Sequence, residues 1–449
     1  LKRPLTVKLP FAMTLRLSVT GSPTQLLWLD RLHRTAPLIA TPALAFLALL
    51  ILLSRDPYRL FDAQLWAEDG PLWVYDSYTH GLASLLIPHT GYLQTFPRLI
   101  GFSAVIAPLT WVPTIFALAG FLTQLAPAWM LLAKRGRELI PNPAARLLLA
   151  GFYLGVPNSF ETFVNITNAQ WHVAMLMFLI IIMRSPVPFA WRAVENVFLF
   201  IGGLSGPFSC LLAPLAWWQA WRERSLRGAR GSQAALLTLT ALIQALCVAA
   251  SAGSQRHLQP LGASLGGFAR IVVGQIFLAA IAGAGHVSAF EQSGLWHHPA
   301  FPLLMLLVFL GVLLVAAIRG NPPFRLFLLF SALILASALW SPVISNTQPQ
   351  WDALEVPGAG SRYYLLPILA WFCALLVLSG QRANLLRWPA RLVIILSLIG
   401  VRTDWQYARE PETQFVAAAK IFEAAPPGTN VIFREAPNPA VWLFSLTKK

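Results

Sequence analysis

The chain has 449 residues, 57% of them hydrophobic and 11% charged, with 33 Lys and Arg against 18 Asp and Glu. Soluble domains run near ~25% charged, so this composition excludes an ordinary soluble protein, and runs that are apolar all round exclude a protein lying on a membrane surface. The net charge of +15 alternates with the apolar runs instead of forming one aromatic-studded patch, which excludes a nucleic-acid partner.

In chain order, a basic N-terminal tail (1–35) carries Lys2, Arg3, Lys8, Arg16, Arg31 and Arg34 and reads as part of an uncleaved signal-anchor, with Met13 as a candidate start. Eleven spans follow at about 36–54, 113–133, 144–157, 171–183, 193–204, 208–221, 234–252, 299–318, 324–341, 363–380 and 389–402. Several are shorter than the ~20 residues a straight crossing needs. Two further apolar stretches, 96–110 and 268–284, are expected to lie on or dip into the outer face. With the N-terminus inside, this parity places the inner loops at +17 and the outer segments at −2, as positive-inside sorting requires. The expected fold is an all-α polytopic membrane domain (36–402) with a small α/β cap (403–449) on the outer face. Cys210, Cys247 and Cys373 sit in apolar stretches without metal-ligand spacing and read as buried small hydrophobes.

The first outer loop (55–112) is chemically the densest. It spends five of the 18 acids, Asp56, Asp62, Glu68, Asp69 and Asp76, beside two histidines and many aromatics. Glu68-Asp69-Gly70 pairs two carboxylates before a Gly-Pro break. Helical neighbours diverge by about 100°, so one acid can act as base while the other binds or orients. The alternative is that these acids cap helices or solvate a loop.

Next, the polar tip 159–171 holds Glu161, Asn165, Thr167, Asn168, Gln170 and Trp171, including the amides and indole that sugar recognition uses. An interfacial turn would use the same residues. The tip GGLSGPF (202–208) breaks two runs with Gly and Pro, which is tolerable only against protein or a water-filled cavity. Residues 403–449 predict a helix from Glu412 to Ala425, a PPG turn, a strand at 429–433 and a strand at 441–446. That piece is too small for a core of its own.

A first span, an acidic pair in the following long outer loop, many further spans and an outer C-terminal piece resemble the GT-C superfamily of integral-membrane glycosyltransferases. Protein O-mannosyltransferases, aminoarabinose transferases and mycobacterial arabinosyltransferases share this plan. Glu68-Asp69-Gly70 is similar to the acid-acid-Gly of the arabinosyltransferases, and WAEDG…GYL…PRL resembles a branch of bacterial membrane proteins of this type. The resemblance implies transfer of a sugar from a polyprenyl-phosphate donor to a hydroxyl of a glycan or glycolipid acceptor, on the outer side of a bacterial inner membrane. It implies a carboxylate base, Asp69 or Glu68. It also implies cations or donors for the lipid phosphate: Arg362 with Tyr363, then Arg98 and His89, with Arg256 and Arg270 behind them. Interfacial snorkelling is the competing account of the arginines. No metal-ligand set is assigned, and a divalent metal beside the carboxylates stays open. A polysaccharide polymerase or ligase using polyprenyl-linked glycans, or a lipid or solute transporter, are the alternative functions.

Overall fold

The computed structural model describes residues 5–8, 14–17, 43–186, 188–251, 259–381 and 385–449. Most of the expected N-terminal tail, the start of the first span and Arg256 lie outside the described residues. Within the tail, Leu5–Lys8 and Thr14–Leu17 pair as a short antiparallel hairpin.

Each of the eleven stretches read as a span holds a helix over most of its described residues, from Ala43–Arg55 to Arg387–Thr403. Among the described residues, six helices are long and apolar enough to cross a membrane: Leu109–Leu132, Ala229–Ala250, Leu265–Ala282, Ala300–Arg319, Pro322–Trp340 and Ser361–Gly380. Five of them fall on expected spans. The sixth, Leu265–Ala282, falls on a stretch expected to lie on the outer face; it is one continuous helix with a π-helical stretch at Val273–Leu278. That stretch is as apolar as its neighbours, so parity is not a sound reason to keep it out of the bundle.

One shorter helix sits where protein surrounds it on every side. Gln170–Ile182 has 13 residues, all buried, and spans about 20 Å at 1.5 Å per residue. It is apolar all round after its first turn, the signature of a helix at the centre of a core. Phe178 stacks on Phe330 of Pro322–Trp340. Leu365–Gly380 is buried along most of its length, with Trp371 edge-on to Phe277 and Phe309. By contrast Ala300–Arg319 exposes Leu304, Leu307, Val308 and Leu314, an apolar face suited to lipid.

Polar side chains tie the two ends of the bundle. At one end Arg230 donates to the main-chain oxygens of Ile180 (3.1 Å) and Met183, closing the C-terminus of Gln170–Ile182, and pairs with Glu223 at 2.9 Å. Arg135 pairs with Glu195 at the same end, so the basic segments 134–137 and 222–230 face one side. At the other end, fully buried Arg55 donates to the main-chain oxygens of Leu154 (2.9 Å) and Asp404 (3.0 Å) and to the Tyr407 hydroxyl (2.6 Å).

That second end carries the C-terminal piece. It consists of helix Phe415–Ala424 and a two-stranded antiparallel hairpin, Asn430–Arg434 with Leu443–Thr447. Phe415, Phe422, Phe433 and Phe444 form one cluster with Leu65, Trp73, Val74 and Phe116. The piece therefore buries its apolar face on the first loop and on the start of Leu109–Leu132.

Candidate functional site

The first loop folds as a chain of short helical turns. In the turn Ala67–Asp69, Ala67 has φ +52°, a left-handed conformation that costs a non-glycine residue energy and persists only when its surroundings hold it. Asp69 supplies part of the hold: Oδ2 accepts from the Trp66 N–H at 3.0 Å, and Oδ1 accepts from the Thr167 hydroxyl at 2.9 Å. Thr167 in turn accepts from the Trp73 indole at 3.0 Å. The C-terminal hairpin supplies the rest. Ala67 N–H donates to the Ala436 oxygen at 2.7 Å, Ala436 N–H to the Leu65 oxygen at 2.9 Å, and Gly70 N–H to Glu435 Oε2 at 2.9 Å. A Cβ at position 70 would stand 2.2 Å from Phe444 and 2.8 Å from Glu435, so only glycine fits there.

This turn forms one wall of a cavity of about 580 Å³ at the loop-bearing end of the bundle. Glu68 lines it, with Trp66 and Ala67. A second wall is the tip 159–171, which contributes Thr167, Asn168, Gln170 and Trp171. A third is the segment His89–Gln94, zipped against the helix break at 204–208: Thr95 N–H donates to the Leu204 oxygen (3.0 Å), Gly206 N–H to the Leu93 oxygen (3.0 Å) and Phe96 N–H to the Ser205 hydroxyl (2.8 Å). Gln244 clamps this junction, accepting from Leu93 N–H at 2.9 Å and donating to the Leu93 and Gly206 oxygens at 3.1 Å each. The expected break at GGLSGPF is therefore real, with Gly206 at φ +110° and Pro207 and Phe208 on the cavity wall.

Arg362 stands across from Glu68. Its Nη1 donates to Glu161 at 2.7 Å, and its Nη2 to the Val343 oxygen at 2.8 Å and the Tyr363 hydroxyl at 3.2 Å. Tyr363 lines the cavity beside it and meets Trp171 edge-on at 5.6 Å.

The remaining wall is apolar. Cys210 and Leu211 come from helix Phe208–Arg222, Val248 from Ala229–Ala250, and Ala338 and Trp340 from Pro322–Trp340, with Trp340 83% exposed.

The sequence candidates thus separate. Glu68, Arg362, Tyr363, His89, Asn168, Gln170 and Trp171 share one cavity. Asp69 is 4% exposed and sits behind the wall. Glu161 reaches the cavity through Arg362. Asn165 is turned inward, its Oδ1 accepting from Asn168 N–H at 3.1 Å. Arg98 lies behind Trp73, over its ring at 5.2 Å and paired with Asp76 at 2.7 Å. Arg270 belongs to a separate pair with Glu355 at 3.4 Å.

No protein-family model matches the chain, and no curated protein matches it.

The electrostatics come from burial. Desolvation raises the Glu68 carboxyl above its usual range, opposed by its own backbone N–H and by the Arg362 charge. Asp69 is pushed up to about 7 by burial, against hydrogen bonds from Trp66 and Thr167. Glu435 is pushed up to about 9 by burial and by the nearby Asp69 charge. His89 is pushed down to about 4 by burial and by Arg98, so it stays neutral. Four buried polar atoms of lining residues, Trp66 Nε1, Gln94 Oε1, Gln170 Oε1 and Trp171 Nε1, have no hydrogen-bond partner among the described residues. Buried polar groups are rarely left so, and four around one cavity suit a polar occupant with many hydroxyls. Among the described residues no three His, Cys, Asp or Glu side chains gather as a metal set.

Thr167 belongs to the polar tip that the sequence marks, whereas Trp66, Glu435 and Trp442 escape the sequence reading. Trp66 stood two residues from the acidic pair and could have been noticed. Glu435 and Trp442 lie some 370 residues away in a short hairpin, and nothing local marks them.

Proposed function

We propose that this protein is a membrane glycosyltransferase that moves a sugar from a polyprenyl-phosphate donor to an acceptor hydroxyl. The observation carrying this reading is one cavity that joins a free carboxylate, a guanidinium, orphaned hydrogen-bonding atoms and an apolar wall. The isoprenoid enters between Phe208–Arg222, Ala229–Ala250 and Pro322–Trp340, leaving its phosphate at Arg362 and its sugar among Gln94, Gln170 and Trp171. Glu68 takes the proton of the acceptor hydroxyl, and that oxygen bonds the anomeric carbon. The bond from that carbon to the phosphate oxygen breaks, its electron pair staying on the lipid phosphate beside Arg362. A carboxyl raised by burial is a stronger base than an exposed one, which suits Glu68 to this step. Asp69, the other candidate base, is better employed in holding the turn. Positive-inside sorting places this chemistry on the outer side.

The test is release of free polyprenyl phosphate from a panel of polyprenyl-phosphate sugars and membrane-extracted acceptors in proteoliposomes. Turnover that falls at least ~100-fold in Glu68→Gln, with the variant folded, supports the reading. Equal turnover in wild type and Glu68→Gln removes Glu68 as base, and no turnover across the panel favours the transporter.

A further inference from the structure

The geometry points to Glu435, on the C-terminal hairpin, as a positioning residue that holds the Glu68 turn in its reactive place. This rests on the glycosyltransferase reading above and extends it to a part of the chain that the reading does not use.

The segment Leu65–Gly70 makes no regular element long enough to fix itself. Beside the Asp69 bonds to Trp66 N–H and Thr167, three bonds tie it to the hairpin strand's end, two through the main chain of Ala436 and one through the Glu435 side chain to Gly70 N–H at 2.9 Å. The last of these lies two residues from Glu68 and follows directly on the strained Ala67 turn. Glu435 is 0% exposed, yet its second oxygen, Oε1, has no hydrogen-bond partner among the described residues. A fully buried carboxylate serving only to tie a surface hairpin is a costly choice, because a main-chain bond or an amide could do the same. Burial also favours the protonated acid, so the side chain holds Gly70 as a neutral acceptor and places no second negative charge behind Glu68. The residue after the bend completes the arrangement: the Glu435 N–H donates to the Trp442 oxygen at 3.1 Å, and the Trp442 ring lines the cavity. One bend of the hairpin therefore sets both the base and a wall of the site.

The experiment compares full-length Glu435→Gln, Glu435→Ala and Glu68→Gln in transfer kinetics and in amide hydrogen exchange. Glu435→Gln keeps the acceptor and should retain kcat within about threefold. Glu435→Ala should lower kcat at least tenfold with donor KM changed less than threefold, while exchange accelerates at Trp66–Gly70 and stays unchanged in Gln170–Ile182. The double variant Glu68→Gln/Glu435→Ala should be no slower than Glu68→Gln alone, since both act through one group. Wild-type kcat in Glu435→Ala, or a loss that Glu435→Gln does not rescue, overturns the inference while leaving the reading intact. If Glu68→Gln is fully active, Glu68 is not the base and the inference falls with that assignment, and accelerated exchange at Trp66–Gly70 in Glu435→Ala then shows only a structural tie; no turnover in the wild type overturns the reading itself.

Discussion

At the scale of single residues, the acidic pair separates into two jobs. Glu68 faces the cavity, while Asp69 and Glu435 sit side by side behind it and bind protons that the unfolded chain would release near pH 4. The junction they form therefore contributes its full stability below about pH 4 and loses it as pH rises through about 7 and then about 9. Thermal unfolding of the purified protein between pH 6 and 10 should show a falling midpoint, and Glu435→Gln should flatten its upper part. An unchanged profile in that variant would contradict the assignment. The pair was legible from charge density alone, because a charge-poor membrane chain concentrates acids where it needs them. Which acid faces the cavity was not, since that depends on Thr167 and on a hairpin distant in sequence.

Among elements, hydrophobic runs told helices well, and five of the six helices long and apolar enough to cross a membrane among the described residues fall on expected spans. A 13-residue run such as Gln170–Ile182 forms a helix because it is buried in protein on every side, whatever the bilayer thickness. Leu265–Ala282 was set aside by counting parity, yet its composition is that of its neighbours. The C-terminal helix and both strands lay within a few residues of expectation, since PPG and NP turns punctuate them. Where that hairpin docks was invisible, because the fit is made by Gly70 against Phe444. Gly70→Ala should cost about 1–3 kcal/mol by overpacking and loosen the hairpin, readable as faster exchange at Asn430–Arg434. Phe444→Ala combined with Gly70→Ala should recover part of that exchange protection, and no recovery would place the clash elsewhere. In the same way Gln244→Ala leaves Leu93 N–H and the Gly206 carbonyl without their Gln244 partner, a loss of about 1–3 kcal/mol in chemical denaturation.

For the whole molecule, the two ends of the bundle differ in kind. One gathers Arg135, Arg230 and their acidic partners, and the other gathers the cavity and the C-terminal piece. From sorting by positive charge we propose that the first faces the cytoplasm. In a background lacking the three native cysteines, Thr79→Cys should react with an impermeant maleimide in intact cells and Arg227→Cys only after permeabilisation. The opposite pattern would invert the protein and move its chemistry inside. The central claim is that the cavity between Glu68 and Arg362 receives a polyprenyl-phosphate sugar through its apolar side. Native mass spectrometry of the protein released from membranes tests it most directly, in wild type and Arg362→Ala. A bound polyprenyl-phosphate species in the wild type, depleted in the variant, is the predicted result; ordinary phospholipid alone in both would contradict it.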